Sequence, residues 1–337
     1  MSSAPPPSAS AIVGNARWLA QALDANAGTM RLVDMNTDDY RAASFLDDRM
    51  FDSDRSSVDV PEGEVARAVA GGREDVRWIF HIGHVGSTLI ARLLGELPKV
   101  LSVREPRLLR DLLSISPERR AALAATVRTL YSRTFADDQV ALVKATSFVS
   151  EIAAELLQPA GCALLLTATP RNYIASILAG ENSSMELEAL APTRIALMAR
   201  RAGHLPAPRH LADLAAIGWA CGATALEGLT ETRTDATLHW CDFDRLLADK
   251  GPQLTAIADA LAIPADPVAV AALATSPLLK RYSKAVEYHY SSALRAELIA
   301  DATRQLGGEI EAAVAMLGEV ATGSPLLARA LERHEEA

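Results

Sequence analysis

Short apolar runs alternate with longer stretches of helical periodicity through the middle of the chain. Five of these runs, "VRWIFHI", "KVLSV", "QVALVKA", "CALLLTA" and "ATLHWCDF", have the length and composition of buried strands. Between them, segments such as "SPERRAALAATVRTLYSRTF" and "SFVSEIAAELL" place apolar residues at helical spacing. This alternation predicts an α/β fold of three layers, in which helices flank a central, mostly parallel sheet.

The flanking regions divide the chain into further predicted parts. Residues 1–10 are rich in Ser and Pro and predict a disordered tail. Residues 11–75 predict a helical N-terminal extension, whose first helix covers "AIVGNARWLAQALDANAG" and ends at Gly28. Residues 76–337 are expected to form the main domain, and the helical stretch of about 180–232, with its Pro-rich break, to form a lid.

Composition and charge narrow the function classes. Half of the 337 residues are apolar and the net charge is -9, which argues against nucleic-acid binding because a phosphate backbone needs a basic face. The three cysteines lie far apart without metal-ligand spacing. The N-terminus lacks the pattern of a signal peptide and no apolar run is long enough to span a bilayer, so we expect a cytoplasmic protein.

The stretch "WIFHIGHVGSTLIARLL" predicts a strand, a glycine-bounded loop and a helix. Gly83 begins this loop, and the helix that follows offers the N–H groups of Gly86, Ser87, Thr88 and Leu89 to an anion. In open parallel sheets, ligands bind beyond the carboxyl ends of the strands, where this loop lies. The alternative is an ordinary strand-to-helix turn with a capping serine.

Chemistry-bearing residues follow three other predicted strands. Glu105 in "VREPRLL" is placed to accept a proton from a substrate hydroxyl, or else belongs to a surface ion-pair cluster. Lys144 in "VKATS" is placed to clamp an anion, or else extends from a strand end into solvent. Arg171 and Ser176 in "TATPRNYIAS" lie where both could reach a phosphate.

A basic and aromatic segment, "LLKRYSKAVEYHYSSALR", stands out in this acidic chain. Lys280, Arg281 and Lys284 alternate there with tyrosines, a combination that suits an adenine ring and a phosphate. The alternative is a solvated helix edge.

Taken together and in this order, these motifs resemble the sulfotransferase family, whose members use 3′-phosphoadenosine-5′-phosphosulfate (PAPS). The resemblance runs from about Val76 to Ala293 and implies a three-layer fold like that of P-loop nucleoside triphosphate hydrolases. "HIGHVGSTLIARLL" is similar to the family's 5′-phosphosulfate loop, which implies that Gly86, Ser87 and Thr88 hold the 5′-phosphate and sulfuryl oxygens.

The other segments match the family's remaining site. "SVREPRLL" resembles the segment in which bacterial members carry a general base, so Glu105 takes that role by resemblance. "ALVKATSF" resembles the strand end that carries a catalytic lysine, which implies the same role for Lys144. "LLTATPRNYIASIL" resembles the 3′-phosphate segment, with Ser176 as its serine, and "RYSKAVEYHYSSALR" resembles the basic loop that closes over the nucleotide.

Two positions depart from the family pattern. His84 stands in place of the loop lysine or arginine that stabilises the leaving oxygen, and we expect it to take over that role as a hydrogen-bond donor. Ala168 stands in place of the arginine that binds the 3′-phosphate. Arg171 or the loop of Lys280, Arg281 and Lys284 is expected to compensate.

The resemblance implies transfer of a sulfuryl group from PAPS to a hydroxyl or amine of a small-molecule or glycan acceptor. The product nucleotide is adenosine 3′,5′-bisphosphate (PAP), and no metal is required. Two alternatives stay open at this point: a non-catalytic sulfotransferase-like binding protein, and a P-loop kinase or NTPase, whose loop would carry a lysine directly before its Ser or Thr. The sequence does not indicate which acceptor is used or how many copies assemble.

Overall fold

The computed structural model describes residues 8–51, 55–281 and 292–335. Within these ranges the strands are β1 (Trp18–Asp24), β2 (Thr29–Asp34), β3 (Ser57–Pro61), β4 (Arg77–His81), β5 (Val100–Arg104), β6 (Val140–Lys144), β7 (Cys162–Thr167) and β8 (Thr237–Asp242). The first helices are α1 (Ala9–Gly14), α2 (Thr37–Ala42), α3 (Glu62–Val69), α4 (Ser87–Leu94), α5 (Arg107–Asp111), α6 (Pro117–Ser132), α7 (Ala153–Leu156) and α8 (Pro170–Leu178). The later helices are α9 (Glu181–Ala202), α10 (Leu211–Thr232), α11 (Phe243–Ala248), α12 (Lys250–Ala260), α13 (Pro267–Ala272), α14 (Ser292–Ala321) and α15 (Pro325–Glu335). Short 3₁₀ segments cover Asp48–Met50, Leu112–Ser114, Ser147–Ile152, Leu273–Thr275 and Pro277–Lys280.

The central sheet has five parallel strands in the order β5-β6-β4-β7-β8, flanked by helices. All five strands predicted from apolar runs are confirmed, and so is the α/β class. The direction of the connections reverses at β4. Helix α4 connects β4 to β5 at one edge of the sheet, whereas the later connections lead to β7 and β8 at the other edge. Right-handed crossovers therefore place α4 and α10 on opposite faces of the sheet.

The N-terminal extension is not helical as predicted. The helix predicted over residues 11–28 is wrong beyond its first part, because β1 and β2 form an antiparallel hairpin that β3 extends to a three-stranded sheet. The Asp24 carboxylate accepts bonds from the N–H groups of Asn26 and Ala27, both at 2.9 Å, and Gly28 has φ +65°. Gly28 thus closes a hairpin turn and does not end a helix, because this turn chemistry outweighs the helix propensity of the Ala-rich run.

The last residues of the predicted disordered tail are helical instead. Ser8 caps α1, which begins at Ala9, through a 3.2 Å bond from the Ala11 N–H to the Ser8 hydroxyl. The rest of the tail, residues 1–7, lies outside the described residues.

The stretch of 180–232 is helical as predicted, but its two helices differ in burial. Along α10 nearly every apolar side chain is buried, including Trp219 and Leu226. Gly222 packs so tightly that a Cβ there would lie 2.8 Å from the Cβ of Ile82. Helix α10 therefore belongs to the core, and only α9 remains a candidate for a lid. Over the described ranges, no helix is both long and apolar enough to cross a membrane.

Candidate functional site

A cavity of about 560 Å³ opens beyond the carboxyl ends of β4, β5 and β6. Adjacent strands β4 and β6 send their connections in opposite directions, which makes this the switch point where open α/β sheets bind ligands. The volume is within the range of small-molecule sites. The predicted site residues that line it are Gly83, His84, Gly86, Ser87, Thr88, Leu89, Glu105, Lys144, Ser176 and Arg281.

The loop after β4 has an unusual backbone that is held by a buried histidine. Gly83, His84 and Gly86 have φ values of +90°, +53° and +65°. The His81 ring accepts a hydrogen bond at Nδ1 from the Gly83 N–H at 3.0 Å, so its Nε2–H donates to the Ala145 carbonyl at 2.9 Å. His81 therefore fixes the loop to the end of β6. This role could not be predicted from the sequence, because His81 belongs to a run that indicates only a strand.

Gly86 is required for close packing as well as for its φ. A Cβ at this position would overlap the ring of Phe243, the first residue of α11. Phe243 also lines the cavity, and its own position follows from Asp242, which caps α11. The loop and α11 thus fit together only with a glycine at position 86.

The N-terminus of α4 faces the cavity with buried hydroxyl groups. Its capping residue is Gly86, which supplies no side chain to its first N–H groups. Ser87 and Thr88 are 5% and 2% exposed, and the Thr88 Oγ1 has no hydrogen-bond partner in the part of the chain that the structure describes. A helix N-terminus carries partial positive charge, so this group of donors is suited to an anion.

Glu105 and Lys144 form a buried ion pair across the ends of β5 and β6. The register places Arg104 beside Lys144, and the next residue, Glu105, turns into the cavity with φ +52°. Its N–H donates to the Lys144 carbonyl at 2.8 Å, while the Lys144 ammonium donates to Oε1 of Glu105. Their side chains are 11% and 2% exposed. The structure brings these two predicted residues together.

Arg104, in the same charged cluster, points away from the cavity. Its guanidinium is 2% exposed and donates to the main-chain carbonyls of Tyr40 and Ala43. Burial lowers the pKa of Arg104 to about 9. This residue therefore ties β5 to the N-terminal region and has a structural role.

His84 lies between the loop and α9. Its Nδ1 is 3.5 Å from the Ser183 hydroxyl, and its Nε2 is 3.7 Å from a Glu186 carboxylate oxygen. The Tyr173 ring meets the His84 ring edge-on, and burial raises the pKa of Tyr173 to about 12. The Tyr173 hydroxyl thus stays protonated, and it lacks a partner among the residues for which the structure gives positions. Position 84 is linked to α9 by these contacts.

Of the residues predicted to bind the 3′-phosphate and the adenine end of the nucleotide, only some line the cavity. Ser176 lines the cavity, and its hydroxyl donates to the Tyr173 carbonyl at 3.0 Å. Arg171 pairs with Glu311 of α14 at a half-exposed position and is not among the lining residues. Arg281 lines the cavity and Lys280 does not. Lys284 lies outside the described residues.

Four further arginines line the cavity, none of them predicted individually as a site residue, although Arg295 ends the predicted basic segment. They come from four distant segments: Arg49, Arg110, Arg194 and Arg295. Together with Lys144 and Arg281 they outnumber the two lining carboxylates, Glu105 and Glu186. Arg49 and Arg110 also pair with Asp47, and Arg295 pairs with Asp244. With these aspartates counted, six cationic side chains still face four carboxylates, and this excess of positive charge favours an anionic ligand.

No family model matches the chain, and no curated protein matches it. Among solved structures, it is similar to the sulfotransferase domain from the curacin biosynthetic pathway, with 12% identity and a TM-score of 0.40, over 70% of this chain and 99% of that one. It is also similar to the sulfotransferase domain of the Synechococcus PCC 7002 olefin synthase, with 16% identity and a TM-score of 0.38, over 66% of this chain and 83% of that one. Similarity this low leaves the function to be inferred from the site.

Proposed function

We propose that this protein transfers the sulfuryl group of PAPS to a hydroxyl or amine of a small-molecule or glycan acceptor and releases PAP. The observation that carries the proposal is the Glu105–Lys144 pair, which lies beside a glycine loop and a helix N-terminus at the switch point of the sheet. The residues' order along the chain, which resembles that of sulfotransferases, adds support.

The loop and α4 fit the phosphosulfate end of the donor. The Thr88 hydroxyl is buried without a partner in the described ranges, and an unpaired buried hydroxyl costs about 1–3 kcal/mol unless a ligand satisfies it. Ser87 and the first N–H groups of α4 point to the same region. Gly83 and Gly86 allow the backbone to approach a bound anion closely.

The ion pair fits the chemistry of transfer. The Glu105 carboxylate accepts the proton of the acceptor's O–H or N–H as the acceptor atom forms its bond to sulfur. The bond between sulfur and the bridging phosphate oxygen breaks, and PAP leaves with the electron pair. Lys144 is placed to hold Glu105 in position and to stabilise negative charge on the oxygens in transfer, with His84 as a further donor.

Two features argue against the nucleoside triphosphatase alternative. The loop has no lysine before Ser87. Such an enzyme also needs an acidic residue after a strand to hold its metal ion. Asp242, at the end of β8, is the candidate, but its Oδ1 caps α11 by accepting bonds from the N–H groups of Asp244 and Arg245 at 2.9 and 3.1 Å. The second carboxylate oxygen, Oδ2, is buried and lies 3.6 Å from the His334 Nδ1, so neither oxygen is open to a metal ion.

The test is a turnover assay with radiolabelled PAPS and a panel of hydroxyl and amine acceptors, run on the native protein and on Glu105→Gln. We expect an acceptor-dependent release of PAP that the variant loses. Equal PAP release by both proteins would show that Glu105 is not the base that accepts the acceptor's proton. Hydrolysis of Mg·ATP with no reaction of PAPS would favour the triphosphatase, and binding of PAP without any turnover would favour the non-catalytic alternative.

A further inference from the structure

We propose that Arg295 of α14 binds the 3′-phosphate of the nucleotide and replaces the arginine that is absent at position 168. This inference rests on the proposed function, since it assigns a residue to one end of the proposed donor. Four features of the structure support it: a covered strand end, an anchored guanidinium, an unpaired donor and the position of Ser176.

The strand end at Ala168 has no room for a phosphate-binding side chain. Ala168 is fully buried, and its carbonyl accepts a hydrogen bond from the Trp219 indole at 2.9 Å. The adjacent Thr167 hydroxyl is 3.1 Å from the Nε2 of His334, so α10 and α15 both cover this end of β7. An arginine at position 168 would have to displace these side chains, and a binding group has to come from another element.

Arg295 is held rigidly at the cavity by α11. One guanidinium nitrogen, Nη1, donates to the Asp244 carboxylate, and the guanidinium carbon lies 5.1 Å from the centre of the Phe243 ring. The residue is 7% exposed and lines the cavity. A fixed and desolvated guanidinium loses little entropy when it binds a phosphate.

The second guanidinium nitrogen of Arg295 has an unused donor. Its Nη2 is buried without a hydrogen-bond partner among the residues that the structure describes. Leaving a charged donor unpaired is unfavourable, so the position indicates a ligand. Asp244 occupies only Nη1, which leaves the Nη2 side of the guanidinium for a phosphate oxygen.

The Asp244 carboxylate also connects Arg295 to the helix that carries Ser176, the serine predicted to bind the 3′-phosphate. The second oxygen of Asp244 accepts a bond from the Asn172 amide at 2.9 Å, which joins α8 to Arg295 through one carboxylate. Ser176 follows Asn172 by four residues on α8, so both lie on the same face of that helix. Ser176 and Arg295 both line the cavity.

Arg295 and the loop after β4 lie against the same aromatic ring, an arrangement that suits a ligand with two anionic groups. The Phe243 ring packs against Gly86, and Arg295 lies over the same ring. One aromatic ring therefore separates the guanidinium from the loop that is proposed to hold the 5′-phosphosulfate. A nucleotide that carries phosphates on both the 5′ and 3′ positions of its ribose would engage both sites.

The test compares two nucleotides by calorimetry: PAP, which has the 3′-phosphate, and adenosine 5′-monophosphate, which lacks it. The variants are Arg295→Met, Arg295→Lys and, as the matched control, Arg304→Met, an exposed arginine on the same helix. We expect Arg295→Met to raise the Kd for PAP by about 10- to 100-fold, as for a lost charged hydrogen bond, and to change the Kd for the monophosphate by less than about 3-fold. Arg295→Lys keeps the charge and is expected to lose less.

Each other outcome has a distinct meaning. If the native protein binds PAP and both Arg295 variants bind it equally well, the inference is wrong while the proposed function stands. If the variants weaken both nucleotides alike, Arg295 has only a structural role, and a lowered thermal midpoint would show this directly. If the native protein binds neither nucleotide, the proposed function is wrong, and the inference on Arg295 is wrong with it.

Discussion

Glu105 and Lys144, 39 residues apart in the chain, are joined by both a main-chain and a side-chain hydrogen bond. The parallel register of β5 and β6 creates this relationship, because the last residues of both strands meet at one edge of the sheet. The pair is almost fully withdrawn from solvent. The effect of substituting one of these residues therefore depends on whether the other is present.

Breaking this pair is expected to destabilise the fold more than removing it entirely. Lys144→Met removes the ammonium bonded to the buried Glu105 carboxylate and leaves only Arg49, whose Nη2 lies 3.6 Å from Oε2, so we expect a loss of about 3 kcal/mol in the free energy of unfolding. The double variant Glu105→Gln/Lys144→Met should recover a large part of that loss, because no buried charge is left. Urea unfolding of the two single variants and the double variant measures the coupling. Simple addition of the single effects would contradict a direct interaction.

Glu105→Gln is expected to separate catalysis from binding. The amide keeps the shape of the carboxylate but cannot accept the acceptor's proton, so kcat should fall by about 10²- to 10⁴-fold. The Kd for PAP should change little, since the proposed donor site lies on the loop. The matched control is Glu64→Gln, an exposed carboxylate on α3. A parallel loss of PAP binding would show that Glu105 acts on the nucleotide and not on the acceptor.

Gly86→Ala is expected to damage both the fold and the nucleotide site. The new Cβ overlaps Phe243 and the φ of +65° is strained for alanine, so we predict a loss of about 1–3 kcal/mol in the free energy of unfolding. Gly228→Ala in α10 is the control, because a Cβ there meets nothing within 4 Å. That change should raise stability by up to about 1 kcal/mol. Equal effects of the two substitutions would rule out the proposed packing.

The buried His334 predicts a loss of stability on acidification. Burial is the main cause that lowers the pKa of His334 from 6.5 to about 4. As the pH falls from about 6.5 to about 4, the unfolded chain takes up a proton that the folded chain does not, so the free energy of unfolding decreases, by at most about 3 kcal/mol from this residue. Burial also raises the pKa of Asp242, which acts in the opposite direction at the acidic end of this range.

The measurement is the free energy of unfolding between pH 7 and pH 4 for the native protein, His334→Gln and the exposed control His204→Gln. We expect the slope with pH to be shallower in His334→Gln only. If His334→Gln and His204→Gln keep the native slope, His334 titrates as it does in the unfolded chain.

The sequence predicts the central sheet well because each strand is a short apolar run bounded by turn signals. The N-terminal hairpin could not be read in the same way, since the run around Ala20 and Ala22 has helical propensity and its strand pairing depends on the turn at Gly28. Strand β1 also packs against α5, and its side chains Leu19 and Leu23 are buried. Tertiary contacts and turn chemistry decided the structure of this segment.

Some residues of the candidate site could likewise be predicted from the sequence, and others could not. Glu105 and Lys144 could be predicted because the ends of parallel strands meet at one edge of a sheet. Arg295 ends the basic segment predicted to close over the nucleotide, but it could not be singled out as a binding residue, since no spacing in the sequence links it to the loop after β4. His81 was hidden for another reason: its alternating apolar neighbours indicate a strand, and only the structure gives its bond to Gly83.

The central claim is that the cavity binds the nucleotide of PAPS, and calorimetric titration with PAP tests it most directly. The native protein should bind PAP with a micromolar Kd, and Thr88→Val should weaken binding about 10-fold or more, because a buried hydroxyl that donates to a charged oxygen is lost. Arg304→Met, far from the loop in sequence and exposed, should bind like the native protein. No binding at millimolar PAP, with the protein folded by circular dichroism, would contradict the account.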